Sequence, residues 1–186
     1  MLLVYHSDAY LYLNPSKTEV LWCSSARRQH QIPTGPARVG DTSVLPERTV
    51  RDLGVYTDAD VTMSAHVTAI VKACFAALRQ ICSVRCSLSR TTLLTLVHSL
   101  VVIKVDYCSS VFLNISGQLL QWLQSIFIVA ARLVFSTRKS EHITLLFREL
   151  HWLKVPERIQ FSSGYVCSHI TALMTRCHYT SLRPSA

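Results

Sequence analysis

Residues 64–81 read Ser-Ala-His-Val-Thr-Ala-Ile-Val-Lys-Ala-Cys-Phe-Ala-Ala-Leu-Arg-Gln-Ile, and within them the hydrophobic period of the chain changes. Val67, Ile70, Val71, Cys74, Leu78 and Ile81 recur three and four apart, with Lys72 and Arg79 seven apart on the other side. That spacing lays the apolar set along one stripe of an amphipathic α-helix. Ser64 is a candidate N-cap, because a short hydroxyl satisfies an amide that has no partner inside the helix.

Upstream of this helix the pattern is strand-like and rich in turn residues. Val20 to Cys23 is a short apolar run, and Arg27 to Pro36 is polar with two prolines and reads as a loop. Ala37–Val39 and Ser43–Leu45 flank Gly40-Asp41, a pair suited to a tight hairpin turn, and Pro46 closes the second arm. Val50 to Tyr56 reads as another short strand, carrying Leu53, Gly54 and Val55.

Downstream, the pattern stays helical. Ser89 is placed to cap a second helix, which is apolar nearly all round from Leu93 to Val105 and is expected to be the most buried. Ser116 is placed to cap a third, Gly117 to Phe135, with Leu119, Leu120, Leu123, Ile126, Phe127, Ala130 and Val134 on its core face. Shorter helices are expected near Glu141–Leu150 and Pro156–Met174, with Ser162-Ser163-Gly164 weakening the last. The fold expected is α+β and mainly helical: a small antiparallel β-sheet or hairpin in residues 1–62, then a bundle of about five helices in 63–186.

With 49% hydrophobic residues and 16% charged, the 186-residue chain has the composition of a folded protein. His98, Ser99 and Lys104 interrupt the longest apolar run, which falls short of the roughly 20 residues needed to cross a bilayer. The N-terminus shows no basic flank or cleavage pattern of a secretion signal, and the seven cysteines are irregularly spaced. An intracellular protein with reduced thiols is expected, in cytoplasm or nucleus and neither secreted nor membrane-bound.

Charge is unevenly distributed. Residues 1–60 hold six Lys/Arg and seven Asp/Glu, whereas residues 61–186 hold thirteen and four, a net +9. A basic part of this kind favours polyanions, RNA or DNA first among them, although a solvated basic surface accounts for the charge equally well.

The residue patterns provide no catalytic set. Asp58 and Asp60 read as solvated turn residues on a loop, capping nearby amides, and Asp8 is followed by Ala9. Cys82 with Cys86, Cys167 with His169, and Cys177 with His178 do not have zinc-site spacing. Glycine-rich phosphate loops and nucleophile elbows are absent, so no metal or cofactor is expected.

Several stretches taken in order resemble reverse transcriptases of non-LTR retrotransposons, the jockey-like and chicken-repeat-like LINEs in particular. Leu11-Tyr12-Leu13-Asn14-Pro15-Ser16-Lys17-Thr18-Glu19-Val20-Leu21 resembles a box late in the palm, and Val50-Arg51-Asp52-Leu53-Gly54-Val55 resembles a strand that grips the primer. Asp106-Tyr107-Cys108, Leu123-Gln124-Ser125, Ala130-Ala131-Arg132-Leu133-Val134 and His142-Ile143-Thr144 are similar to downstream helices of the family. The most specific match is Glu149-Leu150-His151-Trp152-Leu153-Lys154-Val155-Pro156-Glu157-Arg158-Ile159. Together these cover roughly residues 11 to 170.

The resemblance implies a palm edge followed by a helical thumb, from an RNA-directed DNA polymerase that works with two Mg2+ ions in its complete form. It places Lys17 near the incoming nucleotide's phosphates and Leu53 and Gly54 near the primer end. Lys72, Arg79, Arg132, Arg138, Lys139, Arg148, Lys154 and Arg158 are candidate contacts to phosphate, which would not read sequence. The family's aspartate boxes lie upstream of Leu13, so a polymerase-inactive fragment with nonspecific RNA or DNA binding is expected. The family tends to have asparagine where Ser109 and Ile128 stand, and lysine where Ser162 stands. Self-association through an exposed palm edge is a further expectation. The alternative is a helical protein-interaction module or a non-functional relic. For the His151-Trp152 pair, packing is favoured over contact with a ligand.

Overall fold

The computed structural model describes residues 18–24, 26–33, 35–39, 42–137 and 142–181. The fold is α+β and mainly helical. It comprises two compact units, Met1–Thr68 and Ala69–Ala186.

The first unit holds short strands in three pairs, where the sequence suggested one small sheet. Strand β1 (Val20–Leu21) pairs in parallel with β4 (Pro46–Glu47); β2 (Ala37–Val39) and β3 (Thr42–Val44) form an antiparallel hairpin. The Gly40-Asp41 connection lies outside the described residues. Pro46, expected only to end an arm, opens β4, a position at which a strand tolerates its missing N–H. Ala26–Gln31, expected as loop, is a 3₁₀ helix.

The stretch read as one strand over 50–56 is instead a hairpin, β5 (Thr49–Asp52) and β6 (Val55–Asp58). Its two-residue turn is Leu53-Gly54, at φ 45° and 86°. Two successive positive φ values match the twist of the flanking strands, and Gly54 adopts its value without steric penalty.

Helix α1 (Ser64–Val84) begins in the first unit, and the division between units falls within it, after Thr68. Ser64, expected as its cap, is its first residue, and the capping group is Asp58. One Asp58 carboxylate oxygen accepts from the Ser64 hydroxyl at 2.7 Å, the Thr62 hydroxyl at 3.1 Å and the Ala65 amide at 3.2 Å. An anion here also complements the positive end of the helix dipole. Burial pushes this carboxyl up, but the hydrogen bonds outweigh burial and hold it below its ordinary value. Nearby, burial holds the His66 imidazole down, partly offset by the charge of Asp58.

The second unit contains the rest of α1, α2 (Arg90–Val97), α3 (Ile103–Asp106), α4 (Gly117–Phe135), α5 (Ile143–Glu149) and α6 (Val155–Ser181). Ser89 and Ser116 cap α2 and α4 through hydrogen bonds from the Thr92 and Leu119 amides. Helix α4 packs on α2, α5 and α6, and its residues Leu123, Ile126, Phe127, Ala130 and Ala131 are fully buried.

A π-helical segment, His98–Val102, joins α2 to α3. Leu93, Val97, Val101, Val102 and Val105 are buried, whereas Leu100 and Ile103 are exposed. The run expected to be buried all round therefore has an outer face. Helices α1 and α4 are long and apolar enough to cross a membrane by length and composition alone; each also carries a row of core residues. Helix α6 runs past Met174 and through the Ser162-Ser163-Gly164 triplet without a break.

Candidate nucleic-acid interface

The corner between α5 and α6 follows from the ends of the two helices. His151 at φ 53° takes the left-handed position just beyond α5. The Trp152 amide donates to the Phe147 carbonyl at 2.9 Å and the His151 amide to that of Arg148 at 3.1 Å. This pairing is a Schellman stop, and it carries the usual apolar contact across it: Trp152 lies edge-on to Phe147 at 6.3 Å. Trp152 also makes a T-shaped contact with Phe127 at 5.7 Å.

Three separated sequence stretches meet beyond this corner. Gln124 of α4 accepts from the Val155 amide at 2.9 Å, satisfying a donor at the start of α6. Arg158 donates to the Asp106 carboxylate at 2.6 Å and to the Leu153 carbonyl at 3.1 Å, with its guanidinium 4.6 Å from the centre of the Phe127 ring. Buried Ser109 donates to Ser162 at 2.8 Å, joining the 3₁₀ turn Ser109–Phe112 to α6.

The other predicted cations are distributed over several elements. Lys72 and Arg79 are exposed on α1, seven residues apart. Arg132 is half-buried in the last turn of α4. Arg148 and Lys154 are exposed and line one groove of about 520 Å3. Leu53 and Gly54 form the exposed turn of the β5–β6 hairpin in the first unit. Lys17, Arg138 and Lys139 lie outside the described residues.

The acidic groups described in the second unit are already engaged. Asp106 pairs with Arg158, Glu149 with Arg90 at 3.5 Å, and Glu157 accepts from the Lys154 amide at 2.9 Å. Lys72, Arg79, Lys104, Arg148 and Lys154 have no ion-pair partner among the described residues. Their uncompensated charge gives the helical unit an outward positive field.

Sequence reading missed Asp106, Gln124 and Phe127 as the partners that fix this region. Arg158 and Asp106 are 52 residues apart in the chain, so no local pattern links them. Among the described residues, no three His, Cys, Asp or Glu side chains gather. Asp58 gives its carboxylate to Thr62, Ser64 and Ala65. No protein-family model, curated protein or solved structure was found to match the chain.

Proposed function

We propose that the chain is the palm-edge and thumb portion of a non-LTR retrotransposon reverse transcriptase, holding RNA or DNA without sequence preference and performing no polymerisation of its own. The observation that carries this reading is the meeting of the resemblance's separate stretches. Two residues of the 149–159 stretch bond to the other stretches: Arg158 to Asp106 of Asp106-Tyr107-Cys108, and Val155 to Gln124 of Leu123-Gln124-Ser125. Residues from separate stretches of the chain thus share a physical role, which is fixing the start of α6 against α3 and α4.

Two positions that depart from the family pattern, a sign of sequence drift, lie in contact. Ser109 and Ser162 replace an asparagine and a lysine of the family, and they are each other's hydrogen-bond partners. The two changes fall at one contact and keep it polar. The cations without ion-pair partners on α1, α5 and the α5–α6 connection then supply phosphate contacts, in an intracellular setting of cytoplasm or nucleus.

The test is anisotropy titration of the purified chain with a labelled RNA–DNA hybrid over a range of salt. Each phosphate neutralised adds roughly 0.7–0.9 to the slope of log affinity against log salt. Reversing Lys72, Arg79, Arg148 and Lys154 to glutamate is expected to weaken binding and flatten that slope. A folded chain with no low-salt binding, or with binding that ignores salt, would refute the nucleic-acid reading.

A further inference from the structure

The groove beside Arg148 and Lys154 has a second character that phosphate binding does not use. One wall is α4, where Leu120, Gln124 and Ile128 follow at one-turn intervals over about 12 Å of helix. Ile143 and Phe147 of α5 and Trp152 of the α5–α6 connection line the same groove. An apolar trough between two helices, two to three turns long, matches the apolar face of a third helix, as in helix-in-groove recognition. Its volume of about 520 Å3 suits a few large side chains.

Charge selects among helices. Arg148 and Lys154 line the groove and are exposed, with no ion-pair partner among the described residues. The carboxylate in the lining, Glu157, is turned to the Lys154 amide at 2.9 Å. Gln124 is likewise engaged, by the Val155 amide. The groove therefore offers apolar walls with two cations and the Glu157 carboxylate in its lining, a net +1, and complementarity calls for apolar anchors with carboxylates placed at Arg148 and Lys154.

We infer that this groove docks a short acidic amphipathic helix from a partner protein, its apolar residues between α4 and α5 and its carboxylates at Arg148 and Lys154. The inference goes beyond the nucleic-acid reading and stands if that reading fails, because it rests on the apolar walls as well as the charge.

The test is anisotropy titration of the full chain with a labelled helical peptide carrying leucines one turn apart and glutamates along one flank. Two twins serve as controls, one with lysines for the glutamates and one with serines for the leucines. The acidic peptide is expected to bind about tenfold tighter than the lysine twin, and the serine twin to lose saturable binding. In the double variant R148E/K154E, which alters only exposed side chains, the preference for acidic over basic flanks should reverse. Equal affinity for both flanks, an unchanged preference in the double variant, or full binding of the serine twin would each overturn the proposal. The last result would leave only charge attraction of the kind an oligonucleotide also satisfies.

Discussion

Replacing Arg158 with methionine separates a structural arginine from a phosphate-binding one. The guanidinium is held by the Asp106 carboxylate at 2.6 Å, the Leu153 carbonyl at 3.1 Å and the Phe127 face at 4.6 Å. Its side chain is 15% exposed and that of Asp106 is 39% exposed, so solvent screens the pair and the lower end of the range applies. A charge-assisted hydrogen bond at that end is worth about 1.5 kcal/mol, and the ring contact adds about 0.5. Methionine keeps the apolar stem, so the expected loss is about 2 kcal/mol, roughly a thirtyfold shift in the folding equilibrium. For a chain of this length the melting temperature should fall by about 4–8 °C. Urea denaturation gives the free energy, and the hybrid titration gives the salt slope, which R158M should leave unchanged. A variant of parental stability that has lost nucleic-acid affinity would refute the reasoning and return Arg158 to the binding face.

Acid should act on the start of α1 in two steps. The His66 imidazole is held below 6.5, so the folded state resists its protonation; the stability is complete above 6.5 and declines as pH falls below it. The Asp58 carboxyl is held below 3.8, and its contribution is complete above that value and lost as pH falls through the folded one. Urea midpoints across pH should show both slopes, with His66→Gln removing the first and Asp58→Asn the second; slopes that persist in the variants would contradict the assignment. Burial pushes the Cys74 thiol up to about 11, so Cys82, Cys86 and Cys167, all exposed, should react with a thiol reagent at neutral pH while Cys74 reacts only on unfolding. Leu53→Asn should stabilise the β5–β6 turn by about 1 kcal/mol, because asparagine tolerates positive φ better than leucine. Leu53 is 82% exposed and gives up little packing on replacement, so an unchanged or lower urea midpoint would count against this account of the turn.

The parts of the fold legible in the sequence are those where one physical signal acts alone. Helix α4 was readable to the residue because Ser116 caps it and its apolar positions keep helical spacing throughout. Asp58 was readable as a capping residue from its type, but its place was not: it is buried at the end of β6 and not solvated on a loop, and Ser64 competed for the role. The Leu53-Gly54 turn was hidden because leucine is an unusual first residue for it, and the flanking apolar residues continued a strand pattern. The groove was not legible at all: Ile128, Phe147 and Trp152 lie on separate elements, and only the Schellman stop at His151 brings the last two together.

The π-helical segment has a consequence for how the chain tolerates changes in length. Beyond Val97, the buried residues Val101, Val102 and Val105 follow at offsets of four, five and eight. With one residue removed from 98–100, the same three side chains fall at three, four and seven, the interval of an unbroken α-helix. His98, Ser99 and Leu100 all face outward, so the residue lost would come from the solvent side. The wide turn thus has the form of a one-residue insertion absorbed without displacing the core. It marks a point where a single-codon deletion should leave the helix straighter and the protein folded.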